Sequence, residues 1–217
     1  MPSLFTFNMP AESVRSLMGI VVENTIVRIQ GTKLVAGGPL LITHWGMSGP
    51  AILKLSAFGA RILSEMGYEC KTQVNWVDEL NNELVLNELK KIVEEHKNKI
   101  LANFRPYNLP DRLWQYLLER STLSPKKKWS ELGKKGLNKL VTILTNDVYA
   151  VKGKTTFKEE FVTCGGISLE SVDFKTMESK ACKNLYFAGE VLDVDGITGG
   201  YNFQAAWTTG FIAGKLM

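Results

Sequence analysis

The amino-acid sequence predicts an α+β protein: an antiparallel, strand-rich domain interrupted by a helical insert and followed by one more strand and helix. Three observations carry this expectation. β-Branched runs broken by glycine fill residues 19 to 45, three apolar patterns of helical period fill 78 to 146, and strand-like runs return after Asn146. The segments are 1–77 and 147–180 for the two parts of the strand-rich domain, 78–146 for the insert and 181–217 for the C-terminal piece.

Composition bounds the rest. At 217 residues and 24.2 kDa the chain can bury a core without disulfides or metal. With 45% hydrophobic and 22% charged residues it is neither disordered nor fibrous. Lys and Arg outnumber Asp and Glu by 26 to 22, too small an excess to call for nucleic acid or anionic lipid as a partner. Cys70, Cys164 and Cys182 are far apart and form no Cys-x-x-Cys, so three buried thiols in a reducing cytosol are expected, and no metal site. The opening residues lack the basic and apolar regions of a secretory signal, and no run of about eighteen apolar residues suits a membrane span. A soluble, cytoplasmic protein without a membrane partner is expected.

Taken in order, "GIVVENTIVRIQGTKLVAGGPLLITHW" reads as a meander punctuated at Gln30-Gly31 and at Gly37-Gly38-Pro39. Next, Ile52, Leu55, Phe58, Ile62 and Leu63 recur three and four apart, so one helix follows, capped by Ser48 or Gly49 with Pro50 in its first turn. The insert contributes helices at "DELNNELVLNELKKIVEEHKNKI", "LPDRLWQYLLERS" and "WSELGKKGLNKLVTILTN". Leu80, Leu84, Leu89, Ile92 and Val93 mark the buried stripe of the first, and His96 on it is solvated. The lysines of "SPKKKW" and "GKKG" read as solvated loop and helix ends. Strands "DVYAVKG" and "KEEFVTCGGISL" follow, joined by a turn at Lys152-Gly153-Lys154. "LYFAG" reads as a buried strand, and "GGYNFQAAWTTGFIAGKL" as a helix whose small residues permit close approach.

Candidate site residues fall at three places. Gly199, Gly200, Tyr201 and Asn202 open the last helix, where unpaired amides and the helix dipole favour anions and electron-rich oxygens. Glu190, Asp193 and Asp195 stand just upstream, where they can accept hydrogen bonds from sugar or ribityl hydroxyls. Gly165 and Gly166 end a strand, as a bulge or a place for a flat ligand to approach the backbone. Thr43, His44 and Ser48 converge at a strand-to-helix junction, with His44 suited to proton transfer. "GMSG" fits a hydrolase nucleophile elbow poorly, because the second glycine comes one place early, so Ser48 reads better as a cap.

Together, "ITHWGMSGPAIL", "VTCGGISLESVDFKTMESK" and "LYFAGEVLDVDGITGGYNFQAAWTTGFIAG" resemble the BaiN-like, aminoacetone-oxidase-like family of bacterial NAD(P)/FAD-dependent flavoproteins. The resemblance implies that the last strand and helix belong to a Rossmann-like FAD domain. Gly189, Glu190 and Asp193 would then lie near the ribityl and pyrophosphate, and Gly199 to Asn202 near the flavin ring. It also implies that the N-terminal part of that domain, with its Gly-x-Gly-x-x-Gly turn, is absent from this sequence. The expected activity is a flavin-dependent oxidoreduction of a small molecule, with NAD(P)H as hydride source. This chain alone would retain FAD weakly or not at all, and would self-associate through its orphaned cofactor-domain face. A non-catalytic interaction module and a serine hydrolase built on Ser48 are the alternatives.

Overall fold

The computed structural model describes residues 1–155 and 161–215. The chain begins with β1 (Pro2–Ser3), β2 (Thr6–Asn8), β3 (Val21–Ile29), β4 (Val35–Ile42) and β5 (Gly46–Ser48). Helices α1 (Pro50–Phe58) and α2 (Ala60–Glu65) lead to β6 (Glu69–Asn75). The insert holds α3 (Asn82–His96), α4 (Asp111–Arg120) and α5 (Gly133–Thr145). It is followed by β7 (Asp147–Lys152), β8 (Lys154–Thr155), β9 (Val162–Thr163), β10 (Val172–Asp173), β11 (Glu178–Ser179) and α6 (Tyr201–Gly214).

Seven strands form one antiparallel sheet in the order β7-β6-β3-β4-β5-β2-β8. Its two edges are successive parts of a single run of chain, separated only by Gly153. Gly153 donates to the Tyr68 carbonyl (2.8 Å) and accepts from the Asn8 amide (3.0 Å), so it is tied to both edges. The sheet is therefore closed as a barrel, which leaves no free edge. The bend needs a φ of +93°, which glycine reaches without strain. The expected hairpin turn at residues 152–154 is thus a corner of the barrel. Of the second strand expected there, residues 158–160 lie outside the described residues, and only Val162–Thr163 is extended, pairing with β1.

β6 and β7 flank the insert in sequence and pair with each other, so the helices leave and re-enter the barrel through adjacent strands. Val85, Leu89 and Ile92 of α3, Leu113, Trp114, Leu117 and Leu118 of α4, and Leu140, Val141 and Leu144 of α5 join one core with the barrel's Phe7, Val27, Ile42 and Trp76. Trp114 stacks on Trp129 at 6.2 Å, and each such buried side chain is worth about 1.5–3 kcal/mol. Barrel and insert are also joined by Asp147, which is 1% exposed. Its carboxylate accepts from Arg120 Nε (2.8 Å), Trp76 Nε1 (3.0 Å) and the Tyr149 hydroxyl. Burial pushes that carboxyl above its ordinary range, against the pull of Tyr149 and Arg120.

Several expectations are corrected. The helix after β5 is two helices that meet at Gly59 (φ −100°, ψ 7°), where the chain turns against Leu34; Phe58 and Ile62 are exposed. Gly49 caps α1, and Ser48 lies in β5 without capping anything. Gly37-Gly38-Pro39 lies inside β4, opposite a register shift between Val22 and Thr25, rather than at a turn. Leu80 and Leu84 are exposed and Val85 takes their place in the stripe. Of the cysteines only Cys164 is buried, and Cys182 is exposed. "LYFAG" is not a strand: it makes one bridge from Tyr186 to Glu178, and Leu185 and Tyr186 are exposed because no sheet covers them. No helix among the described residues is long and apolar enough to cross a membrane.

Candidate functional site

The segment after β9 folds back on the barrel. Ile197 packs with Leu4, Ala57 and Val162, while Ile167, Phe187 and Ile212 close a small cluster around Val172, Met177 and Leu192. Arg61 of α2 donates to both oxygens of Asp193 at 2.8 and 2.9 Å. Gly166 lets the backbone pass: a Cβ there would lie 2.5 Å from the Val191 carbonyl, beside the bridge between Ile167 and Leu192. The close approach at this glycine is thus made by the chain itself.

These contacts leave an open pocket of about 430 Å3 between barrel and α6. Its polar side is formed by Gly189, Glu190, Gly199, Gly200 and Asn202, and its apolar side by Leu4, Val162, Val194, Ile197, Phe203 and Ala206. Gly200 caps α6 in the left-handed conformation (φ +85°), and a Cβ there would meet nothing within 4 Å. The first amide to bond within the helix is that of Gln204, to the Gly200 carbonyl, and among the described residues the amides of Tyr201, Asn202 and Phe203 make no backbone hydrogen bond of good geometry. Three free donors at the positive end of a helix beside an apolar wall suit an oxygen-rich, flat ligand.

Of the sequence candidates, five therefore converge on this pocket and the others stand apart. Tyr201 is 60% exposed, its ring turned against Gly199. The Asn202 side chain is spent on bracing Gly196, accepting from its amide (2.7 Å) and donating to its carbonyl (2.9 Å). Glu190 accepts from the Thr163 amide at 3.3 Å. Gly165 does not line the pocket. Cys164, Asp193 and Asp195 bring possible ligand atoms within 4.8 Å of one another. Arg61 already neutralises Asp193, while burial and then Asp195 push the Cys164 thiol above its ordinary range.

Thr43 and His44 lie on the β4–β5 turn and Ser48 ends β5, all outside the pocket. The Thr43 hydroxyl accepts from the Gly46 amide and closes that turn. The His44 carbonyl accepts from Arg15, and its ring packs edge-on to Trp45. No hydrogen bond joins Ser48 to His44 among the described residues, so the geometry of a serine nucleophile and base is not assembled there.

Two residues that the sequence reading passed over hold the pocket together. Buried Thr209 accepts from the Gly189 amide (3.0 Å) and donates to Ala205 (2.7 Å), fixing the Gly189 loop to α6. Arg61 does the same for Asp193. A lone threonine among small residues is the only local sign of the first, and the second has none.

A closed barrel with a helical insert, and a glycine-walled pocket where a C-terminal helix meets it, defines a barrel domain with one candidate site at its C-terminal side. Residues 1–162 match the family model described as HI0933-like protein barrel and H2TH domain, and the chain belongs to that family. It is 32% identical over 206 residues to the ribosomal RNA dihydrouridine synthase of Escherichia coli (strain K12), covering 94% of this chain and 48% of that protein. Against the Haemophilus influenzae protein of the same name the values are 30%, 95% and 48%. It is 28% identical to the 3-dehydro-bile acid delta(4,6)-reductase of Clostridium scindens over 99% of this chain and 53% of that protein. The chain spans about half the length of the curated relatives it matches.

Proposed function

We propose that this chain supplies the roof and part of the cofactor berth of a flavin-dependent reductase acting on a carbon–carbon double bond. The α6 pocket supports this reading, because its free amides and apolar wall suit one part of FAD. The relatives' names agree: dihydrouridine is uridine with two added hydrogens, and a delta(4,6)-reductase is named for the double bonds it reduces. The flavin, when bound and reduced by NAD(P)H, would supply the hydride.

In this reading the amides of Asn202 and Phe203 hold cofactor oxygens, and Glu190 accepts from cofactor hydroxyls. Val194, Ile197 and Phe203 exclude water from that face. Gly166, Asp193 and Thr209 position the pocket rather than touch the cofactor. Thr43, His44 and Ser48 serve the substrate side, with no proton step assigned to them.

At about 430 Å3 the pocket holds only a portion of a dinucleotide, and the rest of the Rossmann-like domain would supply the other contacts. The aromatic face of α6, with Phe203, Trp207 and Phe211 each at least 65% exposed, is the face such a domain would cover. In this chain alone it favours self-association. On gel filtration after incubation with FAD, the expected result is loss of flavin from the protein peak, with elution that moves earlier as concentration rises. Stoichiometric yellow flavin in a concentration-independent monomer peak contradicts both expectations.

A further inference from the structure

The small net charge of the chain conceals a local excess. Residues 121–145 carry six lysines against Glu131 alone, an excess of five, whereas the excess over the whole chain is four. Half of these lysines line a groove of about 680 Å3 between α4 and α5: Lys134, Lys135 and Lys139, together with Arg120, Ser121 and Asn138. Among the described residues none of the three lysines forms an ion pair. Lys139 Nζ donates to the Thr122 hydroxyl, and Arg120 is already committed to Asp147. The first turn of α5 contains Lys134 and Lys135 and no acidic residue, although cations there oppose the helix dipole. Stability of the isolated helix therefore does not account for their placement.

We propose that the groove between α4 and α5 is a docking surface for RNA, gripping its phosphate backbone. The choice of RNA rests on the reductase reading, through the two relatives named for ribosomal RNA. The groove itself, its charge and its unpaired lysines stand without that reading. The Ser121 and Asn138 side chains stand among the lysines and offer hydrogen-bonding groups to the 2′-hydroxyls that distinguish RNA from DNA. No aromatic side chain lines the groove, so contact is with the backbone and carries little sequence preference.

The test is fluorescence anisotropy of labelled RNA hairpins, and DNA hairpins of the same sequence, titrated with the full chain without flavin. If the three lysines each neutralise one phosphate, raising salt from about 50 to about 200 mM weakens binding to the duplex stem roughly fortyfold. The K134Q/K135Q/K139Q variant, with its thermal midpoint checked, is expected to lose roughly tenfold or more in affinity and most of the salt dependence. A K90Q/K175Q/K183Q control, with the same charge removed elsewhere, is expected to bind RNA like the parent. Equal losses in both variants, equal affinity for DNA, or no RNA binding at the lower salt each overturn the proposal. Because no flavin is present, none of these results bears on the cofactor pocket, whose failure would be read from FAD binding.

Discussion

Replacing Asp147 by alanine is expected to lower the unfolding free energy by about 3–5 kcal/mol, the usual cost of removing one partner from a buried charge pair. Three donors converge on this carboxylate from both parts of the domain: Trp76 from just past the barrel strand β6, Tyr149 from β7 and Arg120 from α4. Without it, Trp76 Nε1 and the Tyr149 hydroxyl are left buried without an acceptor, each costing about 1–3 kcal/mol. Arg120 adds less, because its side chain is 28% exposed and keeps Glu12 at 3.9 Å and the Val148 carbonyl. Asp147→Asn keeps one acceptor oxygen and should cost clearly less. Urea denaturation followed by tryptophan fluorescence measures both variants. A parent-like midpoint for Asp147→Ala would show that insert and barrel are held by apolar packing alone.

The second large effect is expected at Gly166. An alanine there places its Cβ 2.5 Å from the Val191 carbonyl and 2.8 Å from Leu192 C, both backbone atoms that do not yield as a side-chain tip would. Overpacking of this kind costs about 1–3 kcal/mol, and relief requires Ile167 to part from Val191 and Asp193. The loss should be local. Hydrogen exchange of the Ile167 and Asp193 amides is expected to accelerate strongly, while the barrel amides of β3 and β6 keep their protection. Unchanged exchange at Ile167 would mean that the backbone approach seen here is not tight. If Gly166 were a cofactor contact instead, the alanine variant would leave exchange in the free chain unaltered.

Much of this fold is legible from local pattern, because β3, β4 and the insert helices each carry their period in contiguous residues. What escapes is long-range. Nothing near Gly153 announces that one run of chain pairs with β6 at one end and with β2 at the other. Leu80 and Leu84 fit a helical stripe by spacing, yet which side of α3 faces the core is decided by the α5 and Trp129 side chains it meets. "LYFAG" has strand composition, but it meets β11 through a single bridge, and Leu185 and Tyr186 remain exposed. The site follows the same rule. The glycines and small residues at 189 and 199–206 are visible as a cluster, whereas Arg61 lies 132 residues from its partner Asp193.

The most direct test of the cofactor pocket is a heteronuclear NMR titration of the chain with FAD, because it reports on weak binding residue by residue. The largest amide shifts are expected at Gly199 to Phe203, with smaller ones at Gly189 and Glu190 and none on the lysines of α5. Shifts absent from residues 199 to 203 at saturating FAD, or concentrated on the α4–α5 groove, would contradict the assignment of this pocket to the flavin.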